Sequence, residues 1–393
     1  MSEGSAREVA DRLGKVIFAD QLRAVAALCV MIVHLLGSYW AVRDVVAHHI
    51  FAPVLEGPSD GSLQLISHSY FNFGPFGVAL FFLVSGFVIP FSLAKATRMR
   101  FLTARALRIY PTYFACLCLS LLVIWLSSRF WGVAFGWDAR QIVRNALLVH
   151  NLAGIESIDM VNWSLAIEIK FYLIACMMAS WITRGRILPA LLLSVGLALF
   201  IGCVAYLLPA DFLPIQMKSL AHDLLFIPFM LVGTMYSFHF RGLITAGRLI
   251  VSAVALFGIF IAAWPHTILK DQFPLVPLNY FYAFAVFSAA YACRRYCRPI
   301  KPLDWLASIS YPLYALHSLI GYASLRFLMA QGIGYYSALA VAVAIIISIA
   351  YVVHRTVEMP TLGLGKRIMR RAAAADDSPS VQTAVAASAR RFG

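Results

Sequence analysis

Charge is what this sequence has least of. Charged residues make up 13% of the 393 residues and hydrophobic ones 61%, a balance that excludes a soluble globular protein, whose charged share is about 25%. The class is integral membrane. Acidic residues are the scarcer sign, 18 against 32 Lys and Arg, for a net charge of +14. A nucleic-acid partner would account for that excess, but the basic residues stand in short stretches between apolar runs, the pattern of the positive-inside rule, and no nucleic acid is expected. Strand-like alternation is absent, which excludes a transmembrane barrel and leaves an all-α polytopic bundle. The seven cysteines form no CxxC pair and no metal-ligand spacing, so they read as small core hydrophobes, with neither a disulfide framework nor a metal site. No small-residue cleavage site follows Trp40, so the first apolar run is expected to stay as a permanent helix. There is no fixed-period repeat and no stretch long and polar enough for a second soluble domain.

What is present is a series of apolar runs near the roughly 20 residues that a helix needs to cross a membrane. Spans are expected at about 22–40, 75–94, 111–128, 162–182, 187–208, 224–240, 247–264, 278–296, 305–325 and 336–356. Ten spans put both termini on one side. If that side is the cytoplasm, 24 of the 32 basic residues lie on it and 7 on the other, with Lys170 inside a span. That asymmetry sets the expected orientation. The chain then divides into a cytoplasmic N-terminal segment, 1–21, a transmembrane domain, 22–358, and a largely disordered cytoplasmic tail, 359–393. The long outer segments, about 41–74 and 129–161, are rich in Gly, Pro, His and aromatic residues, and are expected to be partly ordered against the outer mouth.

Ionisable groups inside apolar runs are the candidates for function. Arg23 and His34 are eleven residues apart, which on a helix returns to within about 20° of the same face some 16 Å further along. A lone His at depth serves equally well as a bond to a neighbouring helix or as a proton-exchanging group. The run NWSLAIEIKFYL, 162–173, puts Ser164, Glu168 and Tyr172 on one stripe, with Trp163 beside it. Glu168 lies as far from its outer boundary as His34 from its own, so the two are expected at one depth. A buried carboxylate there needs a proton, a cation or a strong donor. Lys170 is not expected to be that partner, since residues two apart on a helix point to nearly opposite sides. Arg105 and Arg108 lie one turn apart before Pro111, either as a two-pronged clamp for phosphate at the cytoplasmic surface or as topology signals. Ser310, Tyr314 and His317 form a polar stripe for which interhelical hydrogen bonding competes with catalysis. Ser85 and Gly86 are small mid-span residues that suggest close helix packing. For Glu358, a salt bridge at a helix end suffices.

Together DQLRAVAALCVMIVH (20–34), FFLVSGFVI (81–89), RALRIYP (105–111), NWSLAIEIKFYL (162–173), SYPLYALH (310–317) and VEMP (357–360) resemble the acyltransferase-3 family of integral membrane O-acyltransferases. The stretches occur in the family's order along almost the whole chain. The resemblance implies transfer of an acyl group, often acetyl, from cytoplasmic acyl-CoA to a hydroxyl of a glycan, glycolipid or similar acceptor, in the bacterial cytoplasmic membrane. Acyl-CoA is then a co-substrate, and no permanently bound cofactor is expected. It also implies that His34 is the catalytic base, that Arg23 accompanies it, and that Arg105 and Arg108 bind the donor. Many members carry a second acidic or polar residue where this chain has Ile169 and Lys170, which bears on acceptor selectivity. On this reading His34 activates the acceptor hydroxyl, and Glu168 orients the imidazole or stabilises its protonated form. Ser85, Trp163, Ser164, Tyr172, Tyr314 and His317 support the site. Direct transfer is preferred to a covalent acyl-enzyme. The rival is a proton-coupled transporter, since ten helices with buried Arg, Glu and His describe that class too.

The charge asymmetry makes a direct prediction. Reporter tags at both termini should face the cytoplasm and a tag inserted near Gly57 the opposite side. An extracytoplasmic C-terminal tag would remove the tenth span or invert the orientation.

Overall fold

Apolar surroundings offer no water to backbone N–H and C=O groups, so each crossing segment satisfies them internally as a helix. The computed structural model describes residues 16–59, 61, 63, 66, 68–207 and 216–376, with side chains to 367. Helix α1, Ile17–Ile32, runs through a π-helical turn, Val33–Ser38, into Tyr39–Ala41; α2 is Arg43–Ile50. Then follow α3 (Phe73–Leu93), α4 (Arg98–Trp131), α5 (Ala139–Ala146), α6 (Asn162–Met177) and α7 (Ala179–Thr183). The second half holds α8 (Ile187–Leu207), α9 (Met217–Phe240), α10 (Ala246–Ala263), α11 (Leu275–Ala292), α12 (Lys301–Ala330) and α13 (Tyr335–Val353). A second π-helical turn, His354–Glu358, joins α13 to α14, Met359–Asp376. No strand occurs among the described residues.

Eight helices among the described residues are long and apolar enough to cross a membrane. The two expected spans outside that set are helical all the same. They correspond to α6 with α7, broken near Met178, and to α12. The break leaves α6 with 16 residues, short of a full crossing, while Ser310, Tyr314 and His317 are among the polar residues that lower the hydropathy of α12. Several boundaries differ from expectation. The stretch 95–110 is mostly the first three turns of α4, which passes straight through Pro111; a neighbour-packed membrane helix tolerates an interior proline that a soluble one would not. Arg105 and Arg108 therefore stand on a helix and not in a loop. Helix α9 begins at Met217, ahead of the expected 224. Past the expected end of the last span the chain stays helical to Asp376, and the tail from 377 lies outside the described residues, as do residues 1–15 of the N-terminal segment.

Helices α3 and α9 form the centre, buried over 72% and 78% of their apolar stretches, against 22% for α8 at the rim. Helix α3 packs on α9, α1 and α11, while α12 packs on α1, α4 and α13. The backbones of α3 and α9 touch where Gly86 meets Gly233: a Cβ on Gly86 would lie 1.8 Å from the Met230 carbonyl oxygen, and one on Gly233 2.2 Å from that of Leu83. The expectation of close packing at Ser85 and Gly86 is met by Gly86. Thr234 Oγ1 donates to the Gly86 carbonyl at 3.1 Å across the same contact. Asn72 caps α3 by accepting from Gly74 N–H, and its own N–H donates to Asn279 of α11 at 2.7 Å. The two long segments between spans pack on each other, with Phe51 against Phe135 and Trp137, and His48 within 3.1 Å of Glu156.

All seven cysteines are free, but only Cys29, Cys116 and Cys176 are buried; Cys118 and Cys203, on helices, and Cys293, in the turn after α11, are exposed. The reading of the whole set as core residues is corrected for those three. Glu358 bonds His354 Nδ1 at 2.7 Å inside the second π turn, both side chains being buried.

The α3–α9 contact predicts an asymmetry among glycines. Gly86→Ala and Gly233→Ala force two backbones apart, an overpacking worth at least about 1–3 kcal/mol, and should lower the Tm of the detergent-solubilised protein by several degrees. Gly196 and Gly258 have open space where a Cβ would go, so alanine there should leave Tm level or raise it through helix propensity. Equal Tm values for all four variants would contradict the contact.

Candidate active site

Arginine side chains from two helices converge on one cavity. Arg23 from α1 and Arg105 and Arg108 from α4 line it, with Ser85 from α3, Ser164, Glu168 and Tyr172 from α6, and Tyr314 from α12. Arg23 reaches Asp20 at 3.3 Å. Arg105 donates to Ser92 Oγ, and its guanidinium packs 5.5 Å from the rings of Phe101 and of Tyr172, a cation–π arrangement that fixes the fork. Glu168 is the carboxylate of this cavity. Ser85 Oγ donates to it at 2.6 Å and Tyr172 OH at 2.5 Å, both to Oε1, so two hydroxyl donors from separate helices hold it in place.

A second cavity adjoins the first. It is lined by His34 and Ser38 of α1, Asn72, Trp163 of α6, His222 of α9, Gln272 and again Tyr314. His34 sits at the start of the π turn, a backbone irregularity that often marks functional positions. Its Nδ1 is 2.8 Å from Tyr322 OH, and the ring of His317 meets it edge-on at 5.0 Å. His317 itself spends Nδ1 on the carbonyls of Leu313 and Tyr314 in its own helix. Tyr314 and Val78 line both cavities. The Tyr314 hydroxyl lies 2.6 Å from Ser164 Oγ, which in turn donates to the Val161 carbonyl at 3.1 Å. Phe81 closes the wall edge-on to the Tyr314 ring at 5.3 Å.

The sequence-derived residues thus divide between two chambers. Arg23, Arg105, Arg108, Ser85, Ser164, Glu168 and Tyr172 share the first, His34 and Trp163 the second, and Tyr314 both. Arg23 and His34 lie on one continuous helical run, about 16 Å apart along its axis, and line different cavities. One expectation is corrected: Glu168 does not bond His34. Its carboxylate is taken up by Ser85 and Tyr172 on the arginine side of the wall, and the imidazole's partner is Tyr322. Equal counting from two span ends did not place the two groups together, because the side chains enter different cavities. Lys170, as expected, is not Glu168's partner. Its Nζ lies 2.9 Å from Asp223 Oδ2 on α9. Ser310 donates to the Ala307 carbonyl of its own helix, so the polar stripe of α12 bonds between helices at Tyr314 only.

Several site residues carried signals that sequence reasoning passed over. Tyr322 follows His317 by five positions in the same helix. Asp223 is a lone acid in LAHDLLFIPFMLV, 220–232, left outside the expected span, which begins at 224 where the helix begins at Met217. Asp159 lies in the segment before α6, 3% exposed, and Ser318 and the Val161 N–H donate to it. Burial pushes its carboxyl up to about 6, against the lowering effect of those donors.

A basic chamber and a histidine chamber separated by one hydroxyl-bearing wall suit a reaction between an anionic donor and a second substrate entering from elsewhere. No curated protein and no solved structure matches the chain. A family model described as an acyltransferase domain matches residues 16–354, nearly the whole chain. This protein belongs to the acyltransferase-3 family and is a membrane acyltransferase, a transferase of groups other than amino-acyl groups.

Proposed function

We propose that the chain transfers an acyl group, acetyl in the first instance, from cytoplasmic acyl-CoA to a hydroxyl of an extracytoplasmic or lipid-linked, carbohydrate-type acceptor in the bacterial cytoplasmic membrane. The observation that carries this reading is the pair of cavities, one with Arg23, Arg105 and Arg108, the other with His34, meeting at Tyr314. Acyl-CoA is anionic at its nucleotide end and neutral along its pantetheine arm. Arg105 and Arg108 hold the phosphates, and the arm passes through the first cavity to bring the thioester to the wall at Tyr314. Glu168 then acts through other residues: it fixes Tyr172, against whose ring Arg105 packs, and offsets the crowding of three guanidiniums.

His34 is the base. With Nδ1–H donated to the Tyr322 oxygen, Nε2 keeps its lone pair for the acceptor hydroxyl. The hydroxyl oxygen attacks the thioester carbonyl while its proton passes to Nε2. Collapse of the tetrahedral intermediate breaks the carbon–sulfur bond, and the imidazolium returns the proton to the departing CoA thiolate. One His serves both transfers, so direct transfer needs no acyl-enzyme. Nothing in the comparisons or in the cavities favours the rival transporter.

The test uses purified protein in detergent, where no gradient exists, with labelled acetyl-CoA and host membrane vesicles as the source of acceptor. His34→Ala should abolish incorporation of label while the protein stays folded and binds acyl-CoA. Wild-type turnover by that variant sinks the assignment.

Donor binding gives a separate prediction. Arg105→Ala and Arg108→Ala should each weaken acyl-CoA affinity about tenfold or more, since a hydrogen bond to a charged group is worth roughly 1.5–3 kcal/mol. Lys at either position should rescue in part, keeping the charge but not the fork. Unchanged affinity in both alanine variants across a salt series would leave the pair as topology signals only.

A further inference from the structure

The second cavity contains another imidazole, and a buried charge network fixes its tautomer. His222 Nδ1 lies 3.2 Å from Asp223 Oδ1. Asp223 is 0% exposed, and its Oδ2 is held by the Lys170 ammonium at 2.9 Å and by Asn151 Nδ2. A carboxylate facing a lysine accepts hydrogen bonds, so Nδ1 of His222 is the donor and Nε2 carries the lone pair. The His222 ring is wedged against Trp163 at 6.0 Å and Phe226 at 5.4 Å. It lines the cavity that also contains His34, Ser38, Asn72 and Gln272, and no described residue bonds its Nε2. The Lys170–Asp223 pair is complete without His222, so neutralising a buried charge does not explain why the imidazole is held there.

We propose that His222 is an acceptor-binding and positioning residue: Nε2 accepts a hydrogen bond from one hydroxyl of the acceptor and so presents a second hydroxyl of the same molecule to His34. The proposal rests on the acyl-transfer reading above and adds to it a requirement for at least two hydroxyls. Two imidazoles on one cavity then do different work. His34 removes a proton; His222 removes none and recognises a neighbour of the reacting group. A site built to bond a substrate hydroxyl discriminates against an analogue that lacks it, because its own polar group is then left unpaired.

The experiment compares n-octyl β-glucoside with n-octanol, which share an alkyl anchor and differ in hydroxyl count, as acceptors from labelled acetyl-CoA. The protein is purified in an amine-oxide detergent that carries no hydroxyl. Wild-type protein should prefer the glucoside. His222→Ala should reduce the ratio of kcat/KM values for the two probes about tenfold, through KM for the glucoside. His222→Gln, whose amide oxygen accepts a hydrogen bond, should recover part of that ratio, which a merely space-filling role would not. Three results overturn the proposal: a wild-type enzyme with no preference for the glucoside, a ratio unchanged in His222→Ala, or equal losses on both probes. Failure of the acyl-transfer reading shows differently, as the absence of label from any acceptor, vesicle material included, with wild-type protein.

Discussion

The backbone contact between α3 and α9 is the constraint on which the rest of the site depends. Because neither Gly86 nor Gly233 has a side chain, the two helices approach until each glycine meets the other helix's carbonyls, and α3 lines both chambers, one along each half of its length. The residue before Gly86 is Ser85, which reaches Glu168 and so ties α6 to α3. Two turns earlier, Val78 belongs to both chambers, and Gly74 and Pro75 belong to the second. Helix α9 supplies Asp223 to Lys170 of α6. In apolar surroundings there is little hydrophobic drive to bring helices together, so close backbone approach and a few strong polar bonds decide where each one sits.

Polarity inside the bundle is divided by kind. The arginines share their chamber with a carboxylate, while the second chamber is lined by imidazoles and other uncharged polar side chains, with Asp223 and Lys170 paired behind its wall. Lys170 and Asp223 pair across helices, Glu358 pairs with His354 in its own turn, and Glu168 and the three arginines line a cavity, which is the condition for an ion to persist in a low-dielectric interior.

The fold class was legible because apolar runs of helical length leave no other solution, and the helical stripes Ser164–Glu168–Tyr172 and Arg105–Arg108 each line one cavity as their spacing required. Contacts between helices were not legible. Equal distance from two span ends suggested that Glu168 and His34 meet, yet depth along a helix says nothing about which chamber a side chain enters. The π turn at His34 leaves no trace in periodicity, and Pro111 gave a false boundary because its usual cost depends on solvent. Asp223 was overlooked for a related reason. A boundary rule treats an acid near the end of an apolar run as the end, while its lysine partner belongs to a different run.

The wall at Tyr314, Ser164 and Val78 has a consequence for the membrane as a whole. Two polar chambers joined end to end would form a water-filled path, and each elementary charge crossing it would dissipate about 2.3 kcal/mol per 100 mV of membrane potential. Where the chambers meet stand hydroxyls bonded to each other at 2.6 Å, backed by the Phe81 ring. On the reading proposed above, what passes that point is an acyl group handed from sulfur to oxygen, a neutral load that dissipates none of that potential.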